Sequence, residues 1–444
     1  MRTLIHDATV IPIEPRGKVW QSGSVLIENG RIIDVGPGAE VQKRATAVDR
    51  FIDARGKIVL PGFVSAHNHL GYAVFRGRAE DFGIGAGRRL YLPMAAVLSR
   101  EERVAIGTLA AAELLRGGCT TVFEMEEDAD ALACAISDVG LRASVAVMVN
   151  DVDLDQLATG RIRYSESRCE SQLEQAVQFA EHHGDANGLI TPALGANALT
   201  TSSPRQLRGL REAADRIGVR LSIHLGTGEA AFLDREYGAG SIDFARDQGL
   251  LAPDVIAVHG YKLSEDDITA FARTGAHLAH CPQVNAFRGH VAAAQVFLEQ
   301  GINVGLGVDN FFSDCFDVMR ACIAVARIRS RDPLALPALP VLELATLGGA
   351  RAMGLESLIG SLEVGKYADL QIVDMRQYGL SPAHNPVDAL VYHAHAKDVE
   401  AVMVNGSFVV ENGRVNGVDE DALVEAANAA STAAWSRFEA RYPA

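Results

Sequence analysis

The sequence predicts an α/β protein, a (β/α)8 TIM-like barrel that carries a small β-sandwich built from the two ends of the chain. The length of 444 residues, with 48% hydrophobic and 22% charged residues, suits a large barrel with an attached domain. Strand-like and helix-like stretches alternate through the middle of the chain. Both ends have the texture of short strands separated by turns.

The two ends of the chain are predicted to be all-β. Residues 1–62 hold short apolar runs, and the Asn-Gly pair at 29–30 between two of them favours a tight hairpin turn. Residues 356–418 have the same texture, with further Asn-Gly pairs at 405–406 and 412–413. We therefore expect the two terminal pieces to pair into one sandwich flanking the central segment.

The central segment, residues 63–355, is predicted to form the barrel. Apolar runs such as TTVFEM, RASVAVMV and LITPALG alternate there with helical stretches such as DADALACAISDVG and SPRQLRGLREAADRIG. Strand–helix alternation of this length is typical of eight parallel βα units. Residues 419–444 are rich in alanine and are predicted to form a helix on the exterior.

Composition and charge exclude several classes of partner. A formal net charge of −15 and a pI near 5.3 argue against a nucleic-acid partner. The chain has no apolar run long enough to span a bilayer and no N-terminal apolar segment typical of a signal peptide. Its six cysteines are scattered without CxxC spacing, as in reduced proteins. We therefore expect a cytoplasmic protein with no membrane partner that acts on a small molecule.

Histidines stand at the predicted strand ends. Of thirteen histidines, five lie at the C-terminal end of a predicted barrel strand, and an aspartate ends another. Because active sites of such barrels form at this end of the strands, we expect the six side chains to converge. They are His67, His69, His224, His259, His280 and Asp309.

This set of side chains indicates a metal site. His67 and His69, in VLPGFVSAHNHL, are two residues apart on an extended segment, so both face the same side and can bind one ion. Neutral imidazoles with a carboxylate suit a catalytic divalent metal, zinc first by ligand type, with iron, manganese, nickel or cobalt as alternatives. Such an ion lowers the pKa of bound water towards ~7 and so yields hydroxide. Asp309 is the predicted acceptor of the water's proton. Of the other histidines, only His290 is expected near the pocket.

The motifs resemble those of the amidohydrolase superfamily, in the branch of cytosine, guanine and S-adenosylhomocysteine deaminases and triazine hydrolases. VLPGFVSAHNHL looks like the family's HxH strand, and FRGRAEDF like its Arg-Gly segment. LSIHLG, VIAVHGYKL, LAHCPQVN and GLGVDN resemble its later strand ends. ATLGGARAMGL and IGSLEVGKYADLQIVDM are similar to its C-terminal signature. The resemblance covers nearly the whole chain.

The resemblance implies roles for these side chains. It implies metal ligation by His67, His69, His224 and Asp309. His259 would be a further ligand or a neighbour of the metal, and His280 would orient the water or polarise the substrate.

The resemblance also bears on the number of metal ions. Two-metal members of the superfamily usually bridge their ions with a carboxylated lysine, but no lysine occurs between Lys57 and Lys262. We therefore expect one metal ion. Glu124 and Glu126 are interpreted as structural or pocket-lining residues, with a glutamate bridge as the remote alternative.

One position departs from the deaminases of this branch. They carry a glutamate three residues after the fifth-strand histidine, where it passes a proton to the ring nitrogen of the heterocycle. Here that position is Thr227, whose hydroxyl is a poor proton shuttle at neutral pH. Glu229 either replaces the missing glutamate or begins the next helix, where an acid is favoured by the helix dipole.

The candidates for substrate binding are weaker. Arg76 is a candidate for binding a carboxylate or ring carbonyl, with a solvated surface position as the alternative. Phe311 and Phe312 form an aromatic wall or belong to the core beneath the loop. Asn310, next to Asp309, completes the set.

These observations lead to one expected function and two alternatives. The expected reaction is hydrolysis of a C–N bond, through deamination of a purine, pyrimidine, pterin or triazine type of heterocycle. The first alternative, favoured by Thr227, is displacement of a halide or thioether, or cleavage of a carbamate, thiocarbamate or cyclic amide. The second is a non-catalytic barrel scaffold, against which the presence of all four predicted ligands argues. The resemblance also implies a homodimer or larger homo-oligomer.

Overall fold

An eight-stranded parallel barrel forms the centre of the molecule. The computed structural model describes residues 1–83, 85–158, 160–183, 188–309 and 311–442. The strands are neighbours in chain order, and a bridge between Asn68 and Asp309 joins the last to the first. They are Phe63–Asn68, Cys119–Glu126, Arg142–Val149, Ile190–Ala198, Leu221–Leu225, Val255–His259, His277–His280 and Val304–Leu306. The predicted fold class is confirmed.

Helices cover the outside of the barrel. Because they bury its outer face, strands such as Cys119–Glu126 and Arg142–Val149 are buried at every residue, as expected for a parallel sheet. Several helices begin at a residue that caps the first turn: the Ser99 side chain accepts a hydrogen bond from the Glu102 N–H. The main barrel helices are Arg100–Arg116, Ala129–Asp138, Glu166–His182, Pro204–Ile217, Ala230–Tyr237, Ser241–Asp247, Glu265–Ala272, Pro282–Phe287, Ala294–Glu299 and Cys315–Ser330.

The two ends of the chain form a second, nine-stranded sheet. Strands from both ends bury one common core of aliphatic side chains, which agrees with the predicted sandwich. At all three Asn-Gly pairs the backbone is left-handed and joins two antiparallel strands, as a tight hairpin turn requires. The strands are Arg2–Val10, Trp20–Glu28, Arg31–Pro37, Arg50–Asp53, Lys57–Pro61, Leu370–Asp374, Val399–Val404, Ser407–Glu411 and Arg414–Val415.

Gly62 connects the terminal sheet to the barrel. It lies between the strand Lys57–Pro61 and the first barrel strand. A Cβ atom at this position would lie 2.1 Å from Cγ2 of Thr120, so only glycine allows the second barrel strand to pass so closely. The buried pair of Arg142 and Asp369, 2.8 Å apart, forms a second connection between the two units.

The C-terminal helix packs on the outside of the barrel. It spans Glu420–Arg441, close to the predicted bounds, and lies against the helix Arg100–Arg116. Trp435 Nε1 donates a hydrogen bond of 2.9 Å to the Val74 carbonyl, beside the segment that follows the first barrel strand. Among the described helices, none combines the length and apolar character needed to cross a membrane.

Candidate active site

Five side chains converge at the C-terminal end of the barrel. Two groups of potential ligand atoms, each within 4.8 Å of one another, share His67. The first group contains His67, His69 and His224, and the second contains His67, His259 and Asp309. All five come from strand ends, because the parallel strands bring their C-terminal residues to one edge.

The tautomers of His69 and His224 are fixed by backbone carbonyls. Nδ1 of His69 donates to the Met125 carbonyl at 2.7 Å, and Nδ1 of His224 donates to the Asn197 carbonyl at 2.5 Å. In a neutral ring the other nitrogen is then an acceptor. The two Nε2 atoms nevertheless lie only 3.3 Å apart. Two lone pairs this close fit a site where both point at one cation.

His67 and Asp309 complete the cluster. His67 is fully buried, and neither of its ring nitrogens has a hydrogen-bond partner among the described residues. Its Nε2 lies 3.6 Å from Oδ1 of Asp309, while Nε2 of His259 lies 3.9 Å from Oδ2. Asp309 and His259 both have left-handed backbone, with φ of 66° and 80°. Such strain in non-glycine residues is concentrated at functional sites.

Burial keeps the imidazoles neutral. It lowers the pKa of His67 and of His224 to about 3, in the second case with help from the neighbouring His67. Burial also lowers the pKa of His69 and His259 well below the ordinary value, again with a contribution from the neighbouring histidines. Neutral imidazoles, whose nitrogen lone pairs are available for coordination, together with a carboxylate are the donor set that a divalent metal ion takes. The residues present therefore fit such an ion.

A buried glutamate, Glu124, accepts hydrogen bonds from the HxH segment. Oε1 of Glu124 accepts a hydrogen bond of 2.7 Å from the Leu70 N–H, and Oε2 accepts one of 3.1 Å from Asn68 Nδ2. These two donors stand on either side of His69. Burial, with the nearby charge of Glu126, raises the pKa of Glu124 well above its usual value. Its contacts agree with the structural interpretation of this residue.

The fourth strand offers no bridging lysine. The strand Ile190–Ala198 instead places Asn197 at the cluster, where its carbonyl orients His224. The carboxylated-lysine bridge of two-metal sites therefore cannot form. One metal ion is the number that this arrangement supports.

A cavity of about 640 Å³ opens above the cluster. His69, His224, His259 and Asp309 lie at its base. Its walls come largely from two segments, the one after the first strand and the one after the seventh. Polar and aromatic wall residues that the sequence analysis did not identify are Tyr72, Glu80, Asp81, Arg88, Tyr91, Asn197, Tyr261, Phe287 and Arg288. His290 lines the cavity as expected and stacks on Tyr261, with ring centroids 4.4 Å apart.

Thr227 and Glu229 form a hydrogen-bonded pair at one wall. Thr227 lines the cavity, and its Oγ1 donates to Oε2 of Glu229 at 3.1 Å. The Glu229 carboxylate, 6% exposed, also accepts from the backbone N–H groups of residues 226–228 at 2.7 to 3.0 Å. Glu229 itself stands at the start of the helix Ala230–Tyr237. It therefore lies behind Thr227 and holds the loop that carries the threonine.

Three of the candidates for substrate binding, Arg76, Phe311 and Phe312, do not line the cavity. Arg76 donates to the Phe311 carbonyl at 3.0 Å and is paired with Glu113, so it ties two segments together. Phe311 is 7% exposed and belongs to a hydrophobic cluster, as in the alternative interpretation. Phe312 stacks behind the wall residue Phe287, with ring centroids 5.2 Å apart. The prediction for Asn310 lies outside the described residues.

His280 ends the seventh strand and is 1% exposed. Neither ring nitrogen has a hydrogen-bond partner among the described residues, and burial lowers its pKa to about 4. It belongs to neither group of converging ligand atoms. Its role with water or substrate stays a prediction.

Fold and site together define a metal-dependent hydrolase of the barrel type. The chain belongs to the Amidohydrolase family, whose model matches residues 58–409. This confirms the resemblance and makes the protein a hydrolase that acts on carbon–nitrogen bonds.

Known relatives match along nearly the whole chain. The 5-methylthioadenosine/S-adenosylhomocysteine deaminase of Desulforudis audaxviator is 36% identical, over 96% of this chain and 97% of its own. The 5'-deoxyadenosine deaminase of Methanosarcina barkeri is 32% identical, over 98% and 99%. Among solved structures, an adenosine deaminase from Xanthomonas campestris with bound zinc has a TM-score of 0.87 at 30% identity, covering 98% of both chains. An atrazine chlorohydrolase from Arthrobacter aurescens with zinc has a TM-score of 0.84 at 23% identity, over 97% and 100%, and so shares the fold.

Proposed function

We propose that this hydrolase deaminates a nitrogen heterocycle of the aminopurine nucleoside type and uses one divalent metal ion, zinc in our assignment. The observation that carries the proposal is the convergence of four neutral histidines and Asp309 at the base of a cavity. It occurs in a chain that is 30% to 36% identical to relatives named as deaminases of such nucleosides.

The site residues divide the work of the reaction. A divalent ion, when bound, supplies the acidity that makes water a nucleophile near neutral pH. His67, His69 and His224 would hold the ion with Asp309. The Asp309 carboxylate lies at the cavity base and takes the proton of the attacking water, which it then passes to the departing amine. His259, neutral and at the same base, would donate a hydrogen bond to the substrate atom that gains negative charge.

Protonation of the ring falls to Thr227 and Glu229 together. Thr227 faces the cavity, and its hydroxyl already donates to the Glu229 carboxylate. A second proton of the attacking water would reach Glu229 through this hydroxyl, which accepts one proton as it gives up its own. The same relay would then run in reverse and give that proton to the ring nitrogen, while the proton on Asp309 goes to the departing amine. This pair takes the place of the single glutamate of the related deaminases.

A second candidate function rests on the same wall. Because a threonine, rather than a carboxylate, faces the substrate, reactions that need no ring protonation are favoured. These are displacement of a halide or thioether and cleavage of a carbamate-type or cyclic amide bond. The base of the site would serve them unchanged.

One substrate panel separates the two functions. Metal-reconstituted protein would be incubated with aminopurine nucleosides, aminopyrimidines, pterins and aminotriazines, and ammonia release measured. Chloro- and thiomethyl-triazines and thiocarbamates would be followed by chloride or thiol. Ammonia from a purine nucleoside supports the first proposal. Chloride, thiol or ring-opened product, with no ammonia from any amine, would replace it by the second.

The resemblance supports two further proposals, a homodimer or larger homo-oligomer and a cytoplasmic location. Size-exclusion chromatography with light scattering tests the first, and cell fractionation tests the second. A monomer at micromolar concentration would refute the oligomer.

A further inference from the structure

Arg288 brings a permanent positive charge into the cavity. It follows the short helix Pro282–Phe287, after the seventh strand, and is half-buried. Its guanidinium reaches the opposite wall, where Nη2 donates to the hydroxyl of Tyr91 and Cζ lies 5.3 Å from the centre of that ring. Tyr91 is itself buried and lines the cavity. The charge is therefore held at the cavity wall.

Arg288 shares the cavity with the residues at its base. It lines the same space as His224, His259 and Asp309. Tyr261 and His290, whose rings stack, line this space as well. One substrate in the cavity therefore reaches both the converging side chains and the guanidinium.

The other charged wall residues are placed differently. Glu80 accepts hydrogen bonds from the N–H groups of Gly77 and Ala79, at 2.9 and 3.1 Å, so it braces its own segment. Asp81 and Arg88 are exposed at the mouth, where water screens them. Among the described wall residues, Arg288 is the half-buried cation, and the ring of the buried Tyr91 lies beside its guanidinium.

We propose that Arg288 forms a subsite for an anionic oxygen group, a carboxylate or a phosphate, on the part of the substrate remote from the amine. A planar guanidinium binds such groups through two parallel hydrogen bonds. The stacked pair of Tyr261 and His290 forms a flat surface on which the intervening part of the substrate lies. This proposal rests on the proposed function for the identity of the reacting end.

The test uses substrates that differ in one group. Adenosine 5'-carboxylate and adenosine 5'-carboxamide have nearly the same shape and differ in charge. Adenosine 5'-monophosphate is the phosphate-bearing member of the set. Deamination would be measured for the wild type, Arg288→Met and Arg288→Lys. Arg273→Met, at an exposed helix end away from the cavity, is the matched control. Calorimetry with the metal-loaded protein would give the binding constants without turnover.

We expect the wild type to prefer at least one anionic member over the carboxamide by about tenfold or more in KM, as for hydrogen bonds to a charged group. Arg288→Met should remove this preference, so that the anionic members and the carboxamide have equal KM. Arg288→Lys should retain part of this preference, because the positive charge stays but the two parallel N–H donors of the guanidinium are lost. A carboxylate-only or phosphate-only preference identifies which anion the subsite takes.

Several results would overturn the proposal. Equal KM for charged and neutral members in the wild type would show that the site deaminates without an anion subsite. Equal losses for all members in Arg288→Met would assign the arginine to a structural role beside Tyr91. If no member yields ammonia, the proposed function fails, and calorimetry decides the subsite by itself. Tighter binding of an anion that is lost in Arg288→Met would uphold it, and no difference would reject it.

Discussion

Nε2 of His69 and Nε2 of His224 lie 3.3 Å apart, and each ring donates a hydrogen bond from its Nδ1–H to a backbone carbonyl. Without a cation this contact brings two lone pairs together in a buried site. With a cation it becomes half of a coordination sphere. The carbonyls of Met125 and Asn197 therefore prepare the pair for metal binding, because they fix both tautomers before an ion arrives.

Removal of a ligand should abolish both metal binding and turnover. We expect His67→Ala to lose its metal, since the fully buried His67 belongs to both groups of converging ligand atoms. Asp309→Asn should lose turnover, because its side chain no longer accepts a proton. His393→Ala, an exposed histidine outside the site, is the control. Metal content by mass spectrometry and hydrolytic rate provide the readouts, and activity that persists in either site variant contradicts the mechanism.

The metal-free protein should lose stability as the pH falls. Burial lowers the pKa of His67 to about 3 and of His280 to about 4, from 6.5. Between these values and 6.5 the unfolded chain binds protons that the folded chain excludes, so folding weakens as the pH falls through this window and is unaffected above it. Each such histidine costs up to about 1.4 kcal/mol per pH unit.

Thermal unfolding with a chelator at pH 7.5 and pH 5.0 measures this effect. His280→Gln removes one titrating group and should make the pH dependence shallower, without touching the predicted ligands. Bound metal should raise the midpoint more at pH 7.5 than at pH 5.0, because the ligands bind it unprotonated. Identical midpoints at the two pH values in the chelated wild type would refute the prediction.

The sequence was sufficient for the barrel and for the base of the site. Both depend on features of the local sequence. Histidines at the ends of predicted strands are visible in the sequence, and parallel strands bring these ends together at one edge of the barrel. The Asn-Gly turns are equally local, because the left-handed backbone they need is a property of those residues.

The cavity wall was not predictable in the same way. Arg76 and Arg288 are both arginines in loops, and nothing local distinguishes them. Arg76 is held by Glu113 and the Phe311 carbonyl, outside the cavity, whereas Arg288 meets Tyr91 across 197 residues of sequence. Which loop residue lines the cavity depends on such long-range contacts. Phe287 likewise takes the wall position expected of Phe312, because it stacks in front of that ring.

Glu124 should act on the metal through the residues that flank His69. Glu124→Ala removes the acceptor for the Leu70 N–H and for Asn68 Nδ2, and we expect metal affinity to fall by about 10- to 100-fold, as for other partners behind a ligand. Glu124→Gln keeps an acceptor for Leu70 and should lose less. Glu174→Ala, on an exposed helix face, is the control. Competition with a fluorescent chelator measures the affinity, and three variants that all match the wild type would rule out this support.

Glu229 and Thr227 provide the decisive test of the chemistry. If the pair carries a proton to the ring, Thr227→Val should slow ammonia release by about 10²-fold or more while the loop stays in place, because Glu229 keeps its three backbone hydrogen bonds. Glu229→Gln should slow it similarly and also lower the unfolding midpoint, since an amide NH2 cannot accept those bonds. Thr227→Glu would restore the carboxylate of the related deaminases at the wall. We expect it to rescue the rate when combined with Glu229→Gln, provided that the double variant folds, which its circular dichroism reports. Full ammonia release in Thr227→Val would assign Glu229 to the loop alone and leave protonation of the ring to another group.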